Sequence, residues 1–123
     1  MRRLALAILT AACWLLATCA VQSWKVRGED ETVCVVVDLN VPCVATPADM
    51  VWEAVEVVQC ESRWDPLAVG RFGEKGLLQL LPSHAKAMSD AGLDWYNSEG
   101  DRWRWAVRLW ERYGWTLWSC RPN

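Results

Sequence analysis

Six cysteines punctuate the 123-residue chain, and four of them, Cys34, Cys43, Cys60 and Cys120, lie beyond its apolar N-terminal stretch. An even set of thiols in a short chain is the pattern of disulfide cross-links, and cross-links decide which segments can meet. Three pairings are open. In one, Cys34–Cys43 staples a local extended segment, and Cys60–Cys120 then ties the end of a first helix to the C-terminal residues. Closing that longer loop contributes roughly 4 kcal/mol in the chain-entropy picture. The competing reading is a metal site. It has little behind it, because no Cys-x-x-Cys occurs and His84 is the one histidine.

The compartment agrees with cross-linking. Arg2 and Arg3 precede residues 4–21, which are uncharged and mostly apolar, and Thr18-Cys19-Ala20 offers small residues around a cleavage point. Residues 1–21 therefore read as a secretory signal peptide. The same stretch just reaches the length of a membrane span, so attachment through residues 4–21 stays open, as does lipidation at Cys19. Each version exports the domain to a periplasmic, cell-envelope or secreted location, or anchors it at the membrane.

About 100 residues remain, enough for one core. Hydrophobic residues make up 53% and charged residues 23%, which excludes a disordered chain. The net charge is −2, and more negative once Arg2 and Arg3 are removed. Without a basic field, nucleic acid is not an expected partner. Ten Trp stand against one Phe and two Tyr. That bias suits a surface on which flat sugar rings stack, and equally a Trp-rich core.

Residues 22–45 read as a linker and a short extended segment, with β-branched 32–37 as a strand or hairpin limb. Residues 46–123 read as the functional domain. Thr46 is placed to cap a helix, with Pro47 at the first position and Asp49 at the third. Val51, Ala54, Val55 and Val58 form its apolar stripe, and Pro66 sets its limit. A glycine-bearing loop spans 65–76, an apolar helical turn 77–81, and a helix 83–91 before Gly92. Ser98 caps a last helix, 99–113, which stops at Gly114. Its Arg102, Arg104, Arg108 and Arg112 read as a solvated basic face. The fold class is mainly α with a short β-hairpin near the start.

Chemistry concentrates at Glu61. It stands in the last turn of the first helix, where the macrodipole is negative and carboxylate is disfavoured. Trp64 and the apolar 77–81 turn would desolvate it further. A carboxylic acid kept protonated can give its proton to a leaving oxygen, which is what glycosidic cleavage requires.

Glu61-Ser62-Arg63-Trp64-Asp65-Pro66, followed by Gly76-Leu77-Leu78-Gln79 and Pro82, resembles the signature of the lysozyme-like soluble lytic transglycosylase family. The close Gly114-Trp115-Thr116-Leu117-Trp118-Ser119-Cys120, with Cys60 just before the Glu, is similar to the small secreted and phage members. The resemblance covers about residues 46–120 and implies a small lysozyme-like helical domain acting on peptidoglycan as a monomer, without cofactor or metal. It implies Glu61 as catalytic acid/base and Gln79 as a cleft residue. Ser62, Trp64 and Pro66 then shape the helix end, and Asp65 caps a turn. Gly70 stands where many members carry a Ser near the reacting sugar, and Leu81 where Met is frequent. Trp110, or Arg108 in another register, takes the place of a Tyr offered by the last helix. Gln79, Gly70, Leu81 and Trp110 are thus the substrate-binding candidates.

Two-carboxylate hydrolases place an acid on each side of the bond. The family instead implies a single Glu that protonates the oxygen between N-acetylmuramic acid and N-acetylglucosamine, then helps the muramic C6 hydroxyl close a 1,6-anhydro ring. A hydrolytic lysozyme needs a second carboxylate, for which Glu74, Asp94, Glu99 and Asp101 are candidates. A glycan-binding module without turnover is a further alternative. His84 reads as a surface residue at a helix start.

Overall fold

The computed structural model describes residues 31–122. The leader, anchor and lipidation expectations for residues 1–21 lie outside the described residues. The β-branched stretch forms strand β1 (Thr32–Val35), antiparallel to β2 (Val44–Pro47), with Val33 opposite Thr46 and Val35 opposite Val44. Alternation along β2 turns Val44 and Thr46 inward and Ala45 outward. The Cys34–Cys43 disulfide closes the hairpin, its Cα atoms 5.4 Å apart.

Helix α1 (Ala48–Ser62) follows β2 directly, with Pro47 in extended geometry and no side chain capping the first turn. The cap expected of Thr46 does not form. Thr46 is a β2 residue with 0% exposure. Its hydroxyl donates to Val44 O (3.0 Å) and accepts from Trp103 Nε1 (2.9 Å). A buried hydroxyl satisfied twice is not free to reach forward. The core face of α1 is Met50, Ala54, Val57 and Val58. This is the expected stripe rotated by about one residue. Val51 and Val55 instead border an apolar groove of about 260 Å³ that they share with Trp64, Pro66 and the β1 end.

The 77–81 segment is not helical. Gly76 and Gln79 have φ of 86° and 49°, which breaks helical geometry. Leu80 and Lys75 exchange backbone hydrogen bonds of 3.0 Å in both directions. This turn buries Leu77, Leu78 and Leu80 together. A 3₁₀ turn (Pro82–His84) leads into α2 (Ala85–Asp90), and α3 (Glu99–Tyr113) begins with Ser98 Oγ accepting from Asp101 N–H at 3.0 Å.

Trp95, Trp103, Trp115 and Trp118 are buried with Met50, Val58, Met88 and Ala106. Indole donors hold the leucine turn: Trp118 Nε1 to Leu78 O (2.9 Å) and Trp95 Nε1 to Leu80 O (3.2 Å). Arg102 departs from the expected solvated face. It is buried, pairs with buried Glu99 at 2.7 Å, and donates to Trp95 O at 2.6 Å. Glu99 also accepts from Leu77 N–H (3.0 Å), so a desolvated charge is matched on both sides. Gly76 makes this possible: a Cβ there would strike the Glu99 carboxylate and lie 2.9 Å from Arg102 Nε.

Candidate active site

Glu61 is the penultimate residue of α1. It faces a cavity of about 240 Å³ whose walls include Glu74, Gln79, Leu81, His84 and Trp118. Its Oε1 accepts from Cys120 N–H at 3.1 Å. The Cys60–Cys120 disulfide, with Cα atoms 5.9 Å apart, holds the C-terminal segment at that distance. Burial pushes the Glu61 carboxyl above its ordinary range, and the negative charge of Glu74 adds to the push. The amides of Cys120 and Ser119 pull against it without reversing the direction.

Desolvation is thus the dominant cause, and Trp64 lines the apolar groove rather than this cavity. Arg63 and Trp64 both adopt left-handed backbone, with φ of 53° and 64°. The chain reverses there, and Trp64, 49% exposed, turns to the apolar groove. Leu80, Leu81, Leu109 and Leu117 supply the apolar wall of the cavity instead. Asp65 accepts from Leu67 N–H at 2.9 Å and so holds a turn.

Gln79 shares the cavity with Glu61 and has the left-handed conformation noted above. Its Nε2 donates to Ala68 O (3.1 Å) and Gly76 O (2.9 Å). Both donors being spent, its Oε1 is the group it can offer to a ligand. That oxygen lies against Gly70, 2.6 Å from where a Cβ would stand. Of the four substrate-binding candidates, Gln79 and Leu81 line the cavity with Glu61. Gly70 supports it from behind Gln79 and Glu74. Trp110 is half-buried, its ring edge-to-face with Trp115 at 6.4 Å, and Leu109 beside it reaches the cavity wall.

His84 is a cavity residue rather than a plain surface one. Its Nδ1 accepts from Trp105 Nε1 at 3.2 Å, and burial lowers its pKa, so the ring is held toward its neutral form. Its place right after the Gln79 turn was the available signal. The four candidate second carboxylates separate cleanly. Asp94 caps the amides of Tyr96 and Asn97 (2.9 and 3.1 Å). Asp101 accepts from Asp94 N–H at 3.0 Å and pairs with Arg104 at 2.8 Å. Glu99 is held by Arg102 and Leu77. Glu74 alone of the four lines the cavity.

Residues 46–102 match the family model of the transglycosylase SLT domain. Over those residues the sequence supports an SLT-family assignment. The match takes in α1 with Glu61, the Glu74–Gln79 loop, α2 and the first turn of α3. The cavity itself extends beyond the match, since Leu109, Leu117, Trp118 and Ser119 also line it. No match emerges among curated proteins or solved structures. SLT-family domains are lysozyme-like, typically cleave glycosidic bonds and act on peptidoglycan outside the cytoplasm, a setting that the disulfides Cys34–Cys43 and Cys60–Cys120 fit. Among the described residues no helix is long and apolar enough to cross a membrane.

Proposed function

We propose that this protein is an exported lytic transglycosylase that cleaves the β-1,4 bond between N-acetylmuramic acid and N-acetylglucosamine in peptidoglycan. Glu61 is its general acid and then its general base. One observation carries the reading: a helix-terminal carboxyl, half-buried and pushed toward its protonated form, at the wall of a cavity it shares with Gln79. In that state Glu61 protonates the glycosidic oxygen as the bond to the muramic anomeric carbon breaks. The substrate's N-acetyl group stabilises the developing cation. Carboxylate Glu61 then takes the proton of the muramic C6 hydroxyl, whose oxygen closes the 1,6-anhydro ring. The nucleophile is part of the sugar, so its effective concentration is high. Gln79 Oε1 accepts from a sugar hydroxyl or amide, and Leu81 packs on a ring face. Gly70 and Trp110 shape the flanks of the groove. The protein works as a monomer on glycan strands after export through its leader.

The test is Glu61→Gln, which keeps size and the contact with Cys120 N–H but cannot supply the proton. Release of soluble muropeptides falls by about a hundredfold or more, with the circular dichroism spectrum unchanged. Mass spectrometry of wild-type products finds muropeptides one water lighter than hydrolysed ones. Release at the wild-type rate by the variant would sink the assignment. Binding of cell walls with no release by the wild type would favour a glycan-binding module.

A further inference from the structure

The cavity holds a carboxylate that the single-Glu mechanism does not use. Glu74 sits in a tight turn where Gly70 N–H donates to Glu74 O (2.8 Å) and Gly73 N–H to Gly70 O (3.1 Å). Its own Oε1 accepts from Phe72 N–H at 2.7 Å. The turn therefore fixes both the backbone and the carboxylate. The second carboxylate oxygen occupies space that any side chain at position 70 would fill, and the Glu74 carboxyl carbon is 2.8 Å from that Cβ position. Gln79 Oε1 lies against the same spot. Two acceptor oxygens thus converge on one face of Gly70, and Glu74 and Gln79 line the same cavity as Glu61. A small molecule donating two hydrogen bonds matches that pair, and water is the smallest that does.

We propose that Glu74 is a second catalytic carboxylate, which with Gln79 positions a water molecule and gives this cleft a hydrolytic branch beside the anhydro-forming one. The proposal rests on cleavage with Glu61 as acid. Glu61 gives its proton to the glycosidic oxygen, and the bond from that oxygen to the muramic anomeric carbon breaks. Water forms the new bond to that carbon while Glu74 accepts its proton. The products are an N-acetylglucosamine 4-hydroxyl and a muramic hemiacetal, one water added overall. Exchange with solvent returns the proton from Glu74 to Glu61. Hydrolysis uses a pair of carboxylates at the bond, and Glu61 and Glu74 line one cavity. The electrostatics agree, since the charge of Glu74 is felt at Glu61. The backbone agrees as well: the absent side chain at Gly70 is what leaves room for the Glu74 carboxylate.

The experiment digests purified peptidoglycan with the full chain and measures the ratio of hydrated to anhydro muropeptides by mass spectrometry. Wild type gives both. Glu74→Gln keeps an acceptor for Phe72 N–H, and in it the ratio falls by about tenfold or more. Gly70→Ala is the second variant. Its φ lies outside the left-handed region, and the obstructing atoms are ends of flexible side chains, so the fold accommodates it while the Glu74 carboxylate is displaced. Its ratio falls in the same direction. Anhydro product alone from wild type, or ratios unchanged in both variants, overturns the role of Glu74 and leaves Glu61 cleavage standing. No soluble product at all from wild type overturns the cleavage reading itself.

Discussion

At the scale of single residues, the titration of Glu61 links fold and chemistry. Its ordinary value is 4.5, and burial raises it. The folded state then holds the proton more tightly than the unfolded state. Its contribution to stability is complete below 4.5 and is lost as pH rises through the folded value. His84 acts with opposite sign. Its lowered pKa costs stability as pH falls below 6.5. Glu99, raised mainly by burial, behaves like Glu61. A wild-type pH profile alone mixes all three, so the comparison to make is with Glu61→Gln. Urea unfolding from about pH 4 to pH 8 should show the variant gaining on wild type as pH rises, because only wild type must charge a desolvated carboxyl. Glu74 strengthens the trend, since its charge faces Glu61 and no longer meets a like charge in the variant. A difference constant across that range would mean that Glu61 titrates as a solvated acid. Activity follows the same proton: the basic limb of cleavage lies above 4.5, where Glu61 ionises.

At the scale of elements, the sequence was most readable where punctuation and pattern agree. Ser98 with Asp101 opens α3 as its capping pattern requires, and α1 ends short of Pro66. The hairpin follows from β-branched 32–37. What escaped was set by tertiary demand. Thr46 looks like a cap, yet Trp103 claims its hydroxyl across 57 residues of separation. The leucines of 77–81 look helical, yet indole donors and Glu99 hold them in a turn. Arg102 looks solvated, yet it neutralises a buried acid. Glu61 and Gln79 could be singled out from their motifs, whereas the convergence of Glu74 on the same cavity depends on how the 65–81 loop folds back, which no local pattern encodes. The end of α1 offers a test of such a conflict. Arg63 is exposed and left-handed, a conformation that costs a non-glycine residue about 1 kcal/mol or more. Glycine relieves that strain but gains freedom in the unfolded chain. Arg63→Gly should therefore stabilise the domain by about 0.5 kcal/mol, read as a higher urea midpoint at unchanged slope. A lower midpoint would show that the Arg63 side chain contributes contacts worth more than the strain.

At the scale of the whole molecule, one covalent bond joins architecture to proton chemistry. Cys60 is the neighbour of Glu61 in sequence, and its disulfide partner Cys120 supplies the amide that Glu61 accepts at 3.1 Å. The bond closes a loop of 60 residues, spanning the cavity walls from α1 to Ser119. Constraining so long a loop contributes about 4 kcal/mol in the chain-entropy model. The same bond keeps a stabilising N–H on the carboxylate form of Glu61, so it restrains a pKa that burial raises. Opening it must then do two separable things. A Cys60→Ser, Cys120→Ser double variant loses up to about 4 kcal/mol in urea unfolding. Below its unfolding transition, the basic limb of its pH–activity profile moves to higher pH, because the unrestrained segment no longer holds the Cys120 amide against the carboxylate. Opening Cys34–Cys43 in the hairpin does only the first of these, since neither cysteine lines the cavity. A double variant that is weaker but titrates as wild type would make the long disulfide a structural staple alone. A shift of the limb to lower pH would mean that the site gains water when the segment loosens, and that burial of Glu61 depends on the C-terminal wall more than on the leucines.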